Sequence, residues 1–331
     1  MTVPTNTQQT YTQTNIREDL SNMIYNVDPF ETPILNMAKR SKAENILHEW
    51  DTDQLAAQDL TNAQIQGDDA TAVALTPTAR LGNYSQILRK VVSIAGTSQA
   101  VRAAGGSNKM GYQLLKKSKE LKMDMEGAIT NNHARAAGTA TTAGFMGGIA
   151  SFLTVNCVFQ TGGTPSGANP TGVTAAGSES FGNGTTTRTD NSALAALTEA
   201  QVETLAQDVY VASAKKVPYL VVSAVNKQAI SKFTGVAGTR FNQVEDKTLK
   251  NVIDEYETDF GTIKVVPSLK LARSKDVYGI NPEYLKVAYL RPFQTVPLAK
   301  TGDSDKKMLI VECTLEVCNE RALGGIFDTA G

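Results

Sequence analysis

Few side chains in this 331-residue sequence are spaced for bond-making chemistry. Neither of its two histidines, His48 and His133, has a cysteine nearby to begin a zinc site of imidazole and thiolate ligands. Cys313 and Cys318 fall in a strand-like run at a spacing that points them to opposite faces, which suits a small buried hydrophobe and a surface thiol rather than a chelate. With Cys157 they make three cysteines, too few for a disulfide framework, and a reduced, intracellular site of synthesis is the simplest reading. A phosphate-cradling loop is missing, since Gly302 opens only G-D-S-D-K-K. Gly182-Asn183-Gly184 lacks the third glycine and the preceding apolar strand of a dinucleotide loop. No G-x-S-x-G elbow occurs. The pairs Asp51/Asp53 and Asp68/Asp69 could bind a cation, and Asp51, Asp53 and Asp259 could serve a soluble hydrolase acting on carbohydrate or peptide. Solvated loop acids are the simpler account, so the expectation is no catalytic residue, no metal and no cofactor.

The acids are more informative as a group. Residues 43–79 hold Glu44, Glu49, Asp51, Asp53, Asp59, Asp68 and Asp69 and no lysine or arginine, so this stretch is −7 in a chain of net −1, leaving +6 elsewhere. That overall balance argues against a general polyanion binder. Ile46, His48 and Trp50 alternate as in a strand. Residues 81–95 read as a second strand, with Leu88, Val92 and Ile94 on one face. Two strands joined through a polar, acidic tip form an extended hairpin, and a hairpin standing alone is marginal in water. It makes physical sense lying on another subunit; the competing reading is a surface loop with a solvated charge run.

The basic counterpart is a helix expected over 109–136, about 42 Å long. Met110, Leu114, Leu121, Met125 and Ile129 recur on it at helical spacing, and Gly138 stops it. Lys116, Lys117, Lys119 and Lys122 crowd its first half. They form a solvated face or a receiving surface for a neighbour's acidic hairpin. The candidate inter-subunit contacts are therefore Glu49, Trp50, Asp51, Asp53, Asp59, Asp68 and Asp69 on one side, and Lys116, Lys117, Lys119 and Lys122 on the other.

Other elements must position these parts. The hydrophobic share of 41% supports a sizeable core, and no apolar run approaches the ~18–20 residues of a membrane helix. Residues 1–15 are Thr/Gln/Asn-rich, uncharged and without an apolar block, so they read as an arm and not as a signal peptide. A helix follows, capped by Asn15 with Glu18 reciprocating, with Ile16, Leu20, Met23, Ile24 and Val27 on one face, stopped at Asp28-Pro29. Thr32-Pro33 begins a short helix. A strand is expected over 152–159, then a Gly/Thr/Ser-rich insertion or linker over 161–190, flexible in isolation. Thr198 and Gln201 form a capping box for a helix that buries Val202, Leu205, Val209 and Ala212. A strand at 219–223, a helix near 226–233, a loop at 235–244, a hairpin at 252–266, and strands at 277–280 and 287–290 come next. The run 308–318 alternates, with Leu309, Val311, Cys313, Leu315 and Val317 on one face and Glu312, Thr314 and Glu316 on the other, about 37 Å in all. A long strand and a long helix suit one layered α+β body.

This order of parts resembles the major capsid proteins of tailed phages, which share the Hong Kong 97-type capsid fold. The segments that carry the likeness are NIREDLSNMIYNVDPFETPILNMA (15–38), HEWDTDQL (48–55), TEAQVETL with PYLVVSAVNKQAISKFTG (198–235), YETDFGTIKVVPS (256–268) and LAKTGDSDKKMLIVECTLEVCNERALGGI (298–326), similar to a family of such proteins from short-tailed phages. The resemblance implies an α+β fold with an N-arm at 1–42 and an extended E-loop hairpin at 43–95. A peripheral (P) domain would follow at 96–160 with its spine helix at 109–136, then the insertion or linker at 161–196, an axial (A) domain at 197–290, and a return to the P-domain at 291–331. It implies a non-catalytic subunit that assembles with itself, as pentamers and hexamers, into the icosahedral head enclosing the phage genome. The implied partners are a separate scaffolding protein, since no long acidic helical prefix precedes the arm, a portal, a decoration protein as an option, and double-stranded DNA by weak non-specific contact. No membrane is involved; the implied location is the virion capsid, after synthesis in the host bacterial cytoplasm. Some relatives join subunits through an E-loop lysine, and this chain has none between Lys42 and Lys90, so no such cross-link is expected. An encapsulin-like cargo shell shares the fold, and a tail-tube or surface-layer protein would polymerise into tubes or sheets.

Overall fold

The computed structural model describes residues 30–56, 58–67, 69, 72, 75, 77–101, 109–174, 180–233 and 254–330. The helix expected at 15–27, the loop at 235–244, the start of the 252–266 hairpin and Asp68 lie outside the described residues. In chain order the elements begin α1 (Pro33–Met37), β1 (Lys39–Lys42), β2 (Leu47–Thr52), β3 (Ala79–Tyr84), β4 (Gln86–Ala95), α2 (Gly96–Ala100) and α3 (Lys109–Thr130). Next come α4 (Ile149–Phe152), β5 (Cys157–Phe159), β6 (Gly172–Thr174), β7 (Ser180–Gly182), α5 (Glu199–Ser213), β8 (Tyr219–Val222) and α6 (Ala224–Ile230). The chain ends with β9 (Glu255–Thr258), β10 (Gly261–Pro267), β11 (Val277–Ile280), β12 (Leu285–Pro297), β13 (Ser304–Val317) and β14 (Gly324–Phe327).

Two sheets organise the body: a four-stranded one in the order β1-β12-β13-β4 and a six-stranded one in the order β5-β14-β11-β8-β10-β9. The strand pairs β2-β3 and β6-β7 stand apart as hairpins. β13 is the backbone of the first sheet, 14 residues or about 47 Å long. Its register with β4 runs from Ser304 opposite Ala95 to Cys313 opposite Gln86. The polar start of β13, Ser304–Lys307, carries no apolar alternation and joins the strand because β4 is there to pair with it. As the alternation requires, Leu309, Val311, Cys313, Leu315 and Val317 all enter the main core, against Leu121, Met125 and Ile129 of α3 and Ile34 and Leu35 of α1. A second core joins Val202, Leu205, Ala206 and Val209 of α5 to Leu220, Val222, Ile263, Val265 and Ile326 of the six-stranded sheet. The Thr198 N–H donates to Gln201 Oε1 at 3.1 Å, part of the capping box that starts α5.

Three expectations are corrected. The long helix stops at Thr130 and not at 136, giving 22 residues and about 33 Å. The residues after it bond elsewhere: Arg135 N–H donates to Gly184 O at 2.6 Å, and Ala136 pairs with Phe145. The strand expected at 152–159 shrinks to Cys157–Phe159, because Ile149–Phe152 is a helical turn and Asn156 turns the chain at φ 56°. Described parts of the Gly/Thr-rich insertion pack into the body. Phe181 is buried with Ala79, Leu81 and Trp50. Gly182 sits so tightly that a Cβ there would lie 1.7 Å from Phe152 O, so only glycine allows this approach.

Candidate inter-subunit surface

The acidic hairpin is rooted on carboxylates that β13 points away from the α3 side. Glu316 Oε2 accepts from the Ser41 hydroxyl at 2.9 Å and lies 3.2 Å from His48 Nε2, while its Oε1 takes Lys286 Nζ at 2.9 Å. Burial opposes ionisation of Glu316, but Lys286, His48 and Ser41 outweigh it and hold the carboxyl down at about 2. Glu312 accepts from Ser85, at the bend between β3 and β4, and from Arg291 Nε at 2.7 Å. Asn83, opposite His48, donates from Nδ2 to Leu315 O at 2.9 Å and accepts the Gly147 N–H at 2.8 Å. Trp50 packs toward His48 and Phe152, with ring centroids 5.9 and 6.0 Å away. Its Nε1 is buried without an acceptor among the described residues. Of the sequence candidates, Trp50 thus belongs to the root, and Glu49 pairs with Arg80 across its own hairpin.

Beyond the root the surroundings change. Asp51, Asp53, Asp59 and Asp69 are exposed, and Asp68 lies outside the described residues. The Thr61 hydroxyl and N–H bind the Asp59 carboxyl and hold it below its ordinary range. The tip is not simply polar, as its composition suggested. Leu55, Leu60, Ile65 and Leu75 are 91%, 85%, 80% and 96% exposed. Large apolar side chains so fully in water stand in the same stretch of chain as the acids.

On α3 the four lysines divide. Lys117 pairs with Glu120 at 2.6 Å, and Lys119 lies over the Phe30 ring at 5.8 Å. Lys116 and Lys122 are exposed with no ion pair among the described residues. Tyr112, Leu115, Lys116 and Lys119 fall at the i, i+3, i+4, i+7 spacing of one helical stripe, with Tyr112 and Leu115 41% and 60% exposed. The stripe offers both apolar area and positive charge.

Sequence reasoning missed the buried charges that fix these surfaces. Glu126 of α3 accepts the N–H groups of Ile34 and Leu35 at 2.9 and 2.8 Å. Glu320 accepts from Thr154 N–H at 3.0 Å and from Gly182 N–H at 2.9 Å, and burial raises its carboxyl. Arg188, from the end of the insertion, is fully buried, 3.6 Å over the Phe327 ring, and pairs with Asp276 at 3.2 Å. Asp190 beside it meets Arg273 at 2.5 Å and Lys275 at 3.0 Å. Burial opposes ionisation of Asp190, and these cations hold it well below the usual carboxylate range. An arginine, an acid and an asparagine (Arg188, Asp190, Asn191) closing a tract otherwise poor in charge were the available signal.

The acids weighed for chemistry lie on separate elements where they are described. Asp51 and Asp53 belong to the hairpin and Asp259 to the turn between β9 and β10. Among the described residues no group of three or more His, Cys, Asp or Glu side chains is placed to hold a metal, and no helix is long and apolar enough to cross a membrane. Cys313 is buried in the core, which pushes its thiol up to about 12, and burial also raises that of Cys318 beside Glu316.

Comparison with known proteins matches these features to one family. The family of SU10 major capsid proteins matches residues 3–330. The major capsid protein of Escherichia phage Phieco32 is 34% identical over 125 residues, which is 38% of this chain and 36% of that relative, so the alignment spans about a third of the relative's length. The capsid asymmetric unit of Cyanophage A-1(L) superposes with a TM-score of 0.64 at 14% identity, covering 98% of this chain and 100% of that one. Phage G major capsid proteins, solved with decoration proteins, give 0.54 at 10% identity, covering 99% of each chain. These likenesses establish the Hong Kong 97-type capsid fold. With a family match running almost from end to end, the chain belongs to the SU10 major capsid protein family.

Proposed function

We propose that this chain is the major shell subunit of a phage head, assembling with copies of itself as pentamers and hexamers into the icosahedral capsid around the genome, without a catalytic step. The observation that carries the reading is the hairpin tip, where Leu55, Leu60, Ile65 and Leu75 stand 80–96% exposed. Burying each on a neighbour is worth about 1.5–3 kcal/mol, whereas an exposed charge pair contributes about 0–1 kcal/mol. The apolar tip therefore drives docking. Asp51, Asp53, Asp59, Asp68 and Asp69, with Glu49 nearer the root, set its register and salt sensitivity. The α3 stripe of Tyr112, Leu115, Lys116, Lys119 and Lys122, with Lys117 beside it, is the surface of matching chemistry. Residues 1–42 serve as the arm, 43–95 as the E-loop, 96–160 and 291–331 as the P-domain and 197–290 as the A-domain, with 161–196 an insertion that braces the two. A separate scaffolding protein, a portal, weak contact with packaged double-stranded DNA, synthesis in the host cytoplasm and room for a decoration protein complete the reading.

Electron microscopy of the expressed full chain tests it. Closed icosahedral particles are expected; tubes or flat sheets would overturn it. Particles that close around a host enzyme, with no portal, would favour an encapsulin-like shell. Denaturing gels of mature particles should show intact monomer, because no lysine lies between Lys42 and Lys90; a covalent ladder would contradict that part.

A further inference from the structure

Glu126 is fully buried on α3, and among the described residues no ion pair reaches it. Its two carboxyl oxygens receive the Ile34 and Leu35 N–H groups, first-turn donors of α1, at 2.9 and 2.8 Å. Around this contact Ile34 and Leu35 share a core with Leu121, Met125 and Ile129. Among the described residues the charged group that acts on Glu126 is Glu31, another acid, just before α1. The titratable members of the surrounding core are Cys313 and Tyr278, both kept neutral by burial.

We propose that Glu126 is a proton-operated latch: the seat of residues 30–38 on α3 closes with the carboxyl protonated and loosens as it ionises. The open and closed seats differ in the protons they bind. In the open seat the carboxyl meets water and titrates in its ordinary range. In the closed seat it has apolar walls, two backbone donors and a neighbouring acid, and among the described residues no cation pairs with it, Lys119 lying over the Phe30 ring. Burial raises it from 4.5 to about 7, the Ile34 and Leu35 N–H groups pulling the other way and Glu31 adding to the rise. Closing therefore takes up a proton between these values. The stabilisation is complete below 4.5 and is lost as pH rises through about 7. The device works within one chain, so it stands independently of the shell reading.

Amide hydrogen exchange on the purified, unassembled full chain tests it, with rates corrected for intrinsic pH dependence. Protection at Ile34 and Leu35 should fall by roughly 10–30-fold between about pH 5.5 and about pH 8. Glu126→Gln should flatten that dependence, and Glu31→Gln should move its midpoint to lower pH. Equal protection at both pH values in the unaltered chain would overturn the latch, as would a Glu126→Gln variant that keeps the full slope. The unaltered chain and Glu31→Gln keep the test decisive if Glu126→Gln fails to fold.

Discussion

Two buried carboxylates hold the two ends of this molecule's reach, and they do so by opposite means. Glu316 anchors the hairpin root among Lys286, His48 and Ser41, and these partners keep it ionised down to about 2. Glu126 anchors α1 through backbone N–H groups, with no ion pair among the described residues, and is pushed up to about 7. Both are almost inaccessible to water, so burial is not what separates them. Whether a cation shares the site decides the sign of the shift. The Glu316 carboxylate thus stays charged at any ordinary pH, and the α1 seat responds near neutrality.

Four perturbations test this contrast. The largest effect is expected from Trp50→Ala, which removes the ring packed between His48, Phe152 and the small Ala79–Leu81–Phe181 cluster. It should lower the stability of the unassembled chain by about 3 kcal/mol in a denaturant melt. Glu316→Ala should cost about 2 kcal/mol, discounted because Lys286 is 33% exposed and regains water. The same contact should fail only in acid, its contribution being present above 4.5 and lost as pH falls through about 2. Hydrogen exchange at β2 and β3 that changed instead between about pH 5 and about pH 8 would erase the contrast with Glu126. Smallest for the isolated chain is joint replacement of Asp51, Asp53, Asp59 and Asp69 by Asn, expected within about 0.5 kcal/mol. Its signature should lie in assembly, with a weaker dependence of particle yield on salt.

Much of this was legible in the sequence because it is periodic. The alternation Leu309 to Val317 defined both faces of β13, including the outward Glu312 and Glu316, and the capping box at Thr198 located the start of α5. What escaped depends on partners far along the chain. Glu126 meets Ile34 across 92 positions, and Arg188 meets Asp276 across 88. No local pattern announces such pairs, and an acid next to Met125 reads as the edge of an apolar stripe. The end of α3 was misplaced for the same reason, since residues 131–136 obey Gly184, Phe145 and Gly148 rather than helix propensity. At the tip, Leu55, Leu60, Ile65 and Leu75 are too widely spaced to form a motif. Only the structure shows how exposed each of them is.

On the proposed reading a second copy completes the projecting tip. Sedimentation velocity on the full chain with Leu55, Leu60, Ile65 and Leu75 all changed to Ser tests it directly, with a thermal melt of the same sample as control. An unchanged melt and slow-sedimenting subunits that fail to form particles are expected. Particles at the yield of the unaltered chain would contradict it.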